Sequence, residues 1–254
     1  MIVQRCAAAF ALMTLATLAG ACSEDAISPP RAGTFYGLMG SLGNGHARPL
    51  VVIDDNGNPT SVGVALSENA LNGLPDTATR LGISLPPGSY TTGYDNVEID
   101  WHPQGHPSTP FMAPHFDIYF FTISFATRDG ITGTGSDAAK AAMAPSAPAI
   151  PPGYVASPPV VPNVGMRWVD TSGPEFHGMP FERALSYGFY AGSMAFAGPM
   201  ITRDYLLTQP NISATMPLPT AYPQRDRYYA AKYSVRFDAN TREYVIMLDG
   251  LVKR

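Results

Sequence analysis

The sequence predicts a mainly β protein, an antiparallel sandwich or barrel with a few short helices. Three observations carry this. Short runs of alternating apolar and polar residues recur along the chain, the period at which a strand sends its side chains to two faces. Three pairs of such runs flank tight turns, as hairpins do. The 24 glycines and 25 prolines among 254 residues interrupt the chain too often for long helices.

At the N-terminus, Arg5 and the charge-free, Ala-rich run Cys6–Ala21 have the layout of an export signal. The run is too short for a membrane span of about 20 strongly apolar residues. Residues 1–21 are expected to be a signal peptide and residues 22–33, with Pro29-Pro30, a tether; residues 34–254 form a single β-rich domain. Leu18-Ala19-Gly20-Ala21-Cys22 resembles the bacterial lipobox, with Ala19 where Leu is usual, and Ala19-Gly20-Ala21 also suits ordinary signal cleavage at the same bond. Once Cys6 is removed, Cys22 is the only thiol left, a liability in an oxidising compartment unless it is acylated. The expected location is the outer membrane, reached through a lipidated Cys22, because Ser23 rather than Asp follows the cysteine; the alternative is a secreted or periplasmic protein. A net charge of −4 argues against a nucleic-acid partner, which would want a basic face.

Along the domain, Arg48–Asp54 and Ser61–Leu66 read as a hairpin around Asn56-Gly57. Ser67 suits the N-cap of a short helix through Leu71. Asn96–Trp101 alternates as a strand, and a second strand starts at His115 and is expected to reach Phe125. Asp137–Met143 predicts about two helical turns capped by Asp137. The prolines from Pro145 to Pro162 speak against helix or ladder there and predict a surface excursion. Gly165–Val169 is a strand, Leu185–Tyr190 and Ser193–Ala197 a second hairpin, Pro199–Leu207 a short helix, and Lys232–Phe237 with Glu243–Leu248 a third hairpin.

Groups able to bind a metal or move a proton concentrate in one place. His102, His106 and His115 fall within fourteen residues, and the strand His115-Phe116-Asp117-Ile118-Tyr119-Phe120-Phe121 puts His115, Asp117 and Tyr119 on one face. His106, His115 and the later His177 are candidate metal ligands; His115, Asp117 and Tyr119 are candidate catalytic groups, with Asp117 and Tyr119 as an acid/base couple. The spacing of the histidines matches no established ligand signature, and a hydrogen-bonded structural role fits the same residues. Gly43-Asn44-Gly45 precedes a strand and is a turn, not a phosphate cradle. No G-x-S-x-G and no H-E-x-x-H is present.

Leu42-Gly43-Asn44-Gly45-His46-Ala47-Arg48, Ala70-Leu71-Asn72-Gly73-Leu74-Pro75, the W-x-P-x-G-H run at Trp101–His106 and the P-H-F-D run at Pro114–Asp117 carry a resemblance across nearly the whole exported part. Tyr187-Gly188-Phe189-Tyr190 before Pro199-Met200-Ile201-Thr202-Arg203 adds to it. Together they resemble a family of exported bacterial proteins of unknown function, whose studied member is a homodecamer under sigma-E control. The resemblance implies a β-rich exported domain, possible homo-oligomerisation and no assigned reaction. It also implies departures here. Tyr119 stands where the family has a second histidine, Arg183 where a later strand has a histidine, and Gly198 where a glutamate precedes the Pro-Met-Ile-Thr run. The lost donors would have suited Zn, Fe or Mn, and Arg183 is expected to bring a positive charge into the vacated site.

The expectation is therefore an envelope protein with a binding or assembly role, no cofactor and no catalysis. The alternative is a metal-dependent or acid/base enzyme with a barrel-interior site around His106, His115 and Asp117, using Zn, Fe or Mn. Location is the directly testable part: Cys22→Ser should move the protein from the membrane fraction to the soluble fraction, and a variant retained as firmly as wild type would refute acylation.

Overall fold

The computed structural model describes residues 32–107 and 110–254, so the expected signal peptide, Cys22 and nearly all of the expected tether lie outside the described residues. Among the described residues, sixteen strands, numbered in chain order, make up the fold. They are β1 (Gly33–Tyr36), β2 (Gly40–Leu42), β3 (Gly45–Ile53), β4 (Pro59–Ser67), β5 (Thr79–Ser84), β6 (Asn96–His102), β7 (His115–Phe121) and β8 (Tyr154–Val161). There follow β9 (Gly165–Asp170), β10 (Arg183–Tyr190), β11 (Ser193–Thr202), β12 (Asn211–Thr215), β13 (Tyr228–Tyr229), β14 (Lys232–Asp238), β15 (Glu243–Asp249) and β16 (Val252–Lys253). The first sheet runs β1-β3-β4-β15-β14-β12 with β2 added on β3, the second β5-β6-β7-β11-β10-β9-β8, and β13 pairs with β16. The pairings within these sheets are antiparallel and neither large sheet closes on itself, so the architecture is a sandwich and not a barrel.

Alternation builds the interior. Val62, Val64 and Leu66 of β4 and Tyr244, Ile246 and Leu248 of β15 meet Val97 and Ile99 of β6 and Phe116, Ile118 and Phe120 of β7 in one buried cluster. The three expected hairpins form as β3–β4, β10–β11 and β14–β15. At the tip of the second, Ala191 and Gly192 both take positive φ, 52° and 74°, the requirement of a two-residue turn matched to strand twist.

Several boundaries differ from the expectation. β7 stops at Phe121, and Phe125–Asp129 is helix α1, capped by Ser124 Oγ accepting from the Thr127 N–H. β11 carries Pro199 and runs to Thr202; only Arg203–Leu207 is helix (α3), capped by Thr202. Helix α2 is shorter than expected, Ala138–Ala141, because the Asp137 carboxylate accepts from Thr132 N, Gly133 N and Tyr190 Oη instead of capping it. The proline-rich stretch does form a strand, β8. It is an edge strand, and Pro158 and Pro159 sit where its register with β9 breaks between Ser157 and Val161, so no ladder bond is asked of them.

The outward face of the second sheet is itself covered. Ile131 and Ala141 of the β7–β8 connection and Val164 of the β8–β9 turn pack on Tyr119, Phe121 and Phe196, while Phe111 and Phe181 pack on Val169 and Met200. All seven residues of β7 are buried as a result. Phe120 is wholly buried in the inter-sheet cluster, so Phe120→Ala should cost about 3–5 kcal/mol in urea unfolding. Leu38→Ala, at an 86 % exposed position, should stay within about 0.5 kcal/mol.

Candidate functional site

β6 and β7 pair without a register shift, setting His102 beside His115, Asp100 beside Asp117 and Glu98 beside Tyr119. Phe116, Ile118 and Phe120 take the inter-sheet face, so this polar set lies on the outward face, under the excursion. The expected barrel-interior site is thereby corrected: the cluster lies outside the sandwich core, in a second buried layer. His106 arrives from the β6–β7 loop. That loop folds back through Gly105 at φ +63°, where an added Cβ would come 2.3 Å from the Met112 backbone, and the His106 N–H donates to the Phe111 carbonyl at 2.8 Å.

The groups converge on the wholly buried Asp117. Its Oδ2 accepts from Arg167 Nη2 at 2.6 Å and Tyr119 Oη at 2.7 Å, and lies 3.2 Å from His102 Nε2 and 3.4 Å from His106 Nε2. His115 Nε2 is 3.3 Å from Oδ1. Burial alone would raise the carboxyl's pKa, but the Arg167 guanidinium above all, with His102 and His106 beside it, outweighs this and holds Asp117 well below the usual carboxylate range. Burial pushes the Tyr119 phenol well above its ordinary value, with Asp117 adding to the shift, so it remains a donor. Burial also keeps His106 below the ordinary imidazole value.

Two imidazole tautomers follow from their partners. His115 Nδ1 lies 2.7 Å from the Ala113 carbonyl and must donate there, which leaves Nε2 as a lone pair in the neutral ring. His106 Nδ1 faces Arg167 Nη1 at 2.9 Å and must accept, so its proton sits on Nε2 toward Asp117. Among the described residues, His102 Nε2, His115 Nε2 and Asp117 Oδ1 are buried without a hydrogen-bond partner, as are Asp100 Oδ1, Glu98 Oε1 and Arg167 Nε of the same layer. Such a concentration of unsatisfied buried groups marks a site more than a core. The ligand atoms of His102, His106 and Asp117 lie within 4.8 Å of one another.

A cavity of about 270 Å³ opens beside the cluster, lined by Arg80, Asp100, His102, His106, Tyr119 and Arg167 and roofed by Pro158 and Pro159. Burial, with Glu98 next to it, pushes the Asp100 carboxyl up to about 9. Arg80 Nε, 3.2 Å away, opposes this, but its side chain is 40 % exposed and water screens it. Glu98 itself is paired with the buried Arg128.

Of the expected site residues, His102, His106, His115, Asp117 and Tyr119 come together; His177 ends a 3-10 turn (Pro174–His177) and is not among the groups around Asp117. Arg183 does not enter the site. It pairs with Ile201, whose side chain belongs to the inter-sheet cluster, and it donates to Tyr233 Oη at 2.7 Å. The positive charge comes instead from Arg167, which the sequence reading placed in a strand without a role. At Gly198 a Cβ would lie 1.8 Å from the Ile118 carbonyl oxygen, so this backbone spacing has no room for a glutamate. Asp100 and Glu98 were also missed, although the alternation of Asn96–Trp101 puts both on the face of His102.

A family model described as TTHB210-like, a hypothetical protein, matches residues 54–101. This similarity covers under a fifth of the chain and stops one residue before His102. No curated protein and no solved structure matches.

Arg167 and Asp117 should be strongly coupled. Arg167→Met should cost about 3–5 kcal/mol by stranding a buried carboxylate. Adding Asp117→Leu should recover a large part of that loss, as a double-mutant cycle in urea would read.

Proposed function

We propose that this is an exported, lipid-anchored envelope protein that binds a divalent transition-metal ion without catalysing a reaction. One observation carries the reading: His102 Nε2, His115 Nε2 and Asp117 Oδ1 are buried, are lone-pair donors or free to be, and have no hydrogen-bond partner. Two imidazoles and a carboxylate are a donor set for Fe, Mn or Zn. Their spacing supports it. Two ligands each ~2.1 Å from one ion stand ~3.0–3.4 Å apart; His115 Nε2 lies 3.3 Å from Asp117 Oδ1, and His102 Nε2 lies 3.2 Å from the other oxygen, Oδ2. The Ala113 carbonyl holding His115 Nδ1 is the usual outer contact of a ligating histidine.

Arg167 limits the affinity but leaves the site usable. It satisfies Oδ2 and not Oδ1, so one carboxylate oxygen remains for a cation. His106, held in the opposite tautomer by Arg167, supports Asp117 and is not a ligand in this arrangement. His102, His115 and Asp117 would hold the ion, which would add positive charge beside the adjoining cavity. The acidic net charge fits cation capture and not nucleic-acid binding.

A metal-dependent or acid/base enzyme is the second reading, favoured by the cavity next to Tyr119 and by the buried Asp100, whose carboxyl burial pushes up. His115→Gln, which leaves the Asp117–Arg167 pair intact, separates the two: a binding protein should lose its ion with no reaction to lose, whereas an enzyme would lose turnover as well.

The metal itself is tested with chelator-treated protein. One equivalent of Zn²⁺ or Mn²⁺ should be retained by wild type and by His177→Ala, and lost in His115→Ala and His102→Ala. Elemental analysis showing no retained ion in wild type, or the same content in His115→Ala, would refute the reading.

A further inference from the structure

We infer that the domain rests on a lipid bilayer through one open edge of its sandwich, with Leu38 and Met39 entering the headgroup layer. The inference rests on the reading of an envelope protein held at a membrane, and names the face that meets the bilayer. It does not require the ion proposed above.

The first support is where the exposed apolar side chains gather. Phe35, Tyr36, Leu38 and Met39 are all exposed and fall within five positions, Leu38 at 86 % and Met39 at 65 %. Phe35 and Tyr36 end β1, and Leu38 and Met39 lie in the link to β2. Single apolar residues on a surface need no explanation, but a contiguous group marks a contact face.

The second support is an edge without charge. β1 and β2 border the first sheet along β3, and β5 is an outer strand of the second. The two borders lie side by side, since a Cβ on Gly40 would come 2.7 Å from the Leu81 side chain. A groove of about 650 Å³ runs between them, walled by Tyr36 to Gly40 and by Leu81 to Pro87. Neither Ala32 to Ala47 nor Leu81 to Tyr94 contains an Asp, Glu, Lys or Arg, in a chain where such residues make up 14 %. Edge strands facing water are ordinarily guarded by charges, above all lysine. Here that guard is missing from both borders at once.

The third support is where the chain enters the fold, and it selects the bilayer as the occupant. The described residues begin at Ala32, at the start of this same edge, ten residues after Cys22. Ten extended residues reach at most about 36 Å. A bilayer holding Cys22 is therefore kept within reach of the groove, and a contact that is weak on its own suffices at that effective concentration. The contact is shallow. β1 and β5 leave unpaired backbone groups on their open sides, which hydrocarbon would not tolerate. Leu38 and Met39 form the inserted tip, while the exposed rings of Tyr36 and Tyr90 suit the polar boundary. Arg227, which donates to the Tyr90 carbonyl at 2.6 Å, shares a neighbouring hollow with Asp95, so the two offset each other and apolar contact drives the docking.

The test attaches an environment-sensitive fluorophore to Leu38→Cys or to Val155→Cys in the full chain carrying Cys6→Ser and Cys22→Ser. Val155 is exposed on β8, the opposite edge of the second sheet. With phosphatidylcholine/phosphatidylglycerol vesicles, emission at position 38 should shift to the blue while position 155 stays unchanged. Adding Met39→Glu should weaken the response at 38 about tenfold, with the melting temperature near wild type because the position is exposed. No response at 38, the same response at 155, or a response unchanged by Met39→Glu overturns the inference. A blue shift without vesicles that grows with protein concentration assigns the face to a second copy of the chain and overturns it as well. Fractionation of the wild-type chain keeps the two claims apart. A soluble wild type with a vesicle response at 38 sinks the acylation and leaves the docking face standing, whereas a membrane-held wild type with no response at 38 refutes the docking face alone.

Discussion

A carboxylate with no access to water sits at the centre of the second sheet's outer layer, and the layer is arranged around keeping it charged. Ionised Asp117 would be too costly to bury unless matched. The match comes from a guanidinium three strands away in the sheet order, on β9, with β10 and β11 between. At the level of Tyr119 those strands present Ser186 and Gly198, which pair with each other and carry side chains too small to block the crossing. Tyr119 then adds the hydroxyl that joins the two ions. Remove the small residues or the phenol and Arg167 loses its route or its second acceptor.

The same charge pair sorts the histidines. By donating to His106 Nδ1, Arg167 fixes that ring with its proton toward Asp117, while the Ala113 carbonyl fixes His115 the other way round. Rings that look equivalent in a sequence are thus divided by their distal contacts into one that supports the carboxylate and one that offers a lone pair. Asp100 completes the contrast, since two acids paired across β6 and β7 are driven in opposite directions, one by a guanidinium and one by burial.

Much of this could be read in the sequence, and the failures have definite causes. The alternation in His115–Phe121 was enough to put His115, Asp117 and Tyr119 on one face. It could not say which way that face points, because a strand buried on both sides shows no polar contrast between core and surface. Arg183 and Arg167 both lie in predicted strands, and only the register decides between them: Arg183 pairs with inward Ile201, Arg167 with outward Gly188. The prolines of β8 argued against a strand, and that argument holds for an interior strand but not at a sheet edge. Asp137 was assigned as a cap on local spacing, whereas Tyr190, 53 residues away, shares its carboxylate.

The order of strands in the first sheet has a consequence for how the chain comes to be folded. β4 pairs directly with β15, Ser67 beside Glu243, so about two thirds of the sequence separates two neighbours at the centre of that sheet. Contacts so distant form late and slowly. The N-terminal hairpin β3–β4 therefore keeps an open edge until the C-terminal hairpin β14–β15 has emerged. The second sheet, built wholly from residues 79–202, has no such dependence, so the two halves of the sandwich differ in how early their strands can meet.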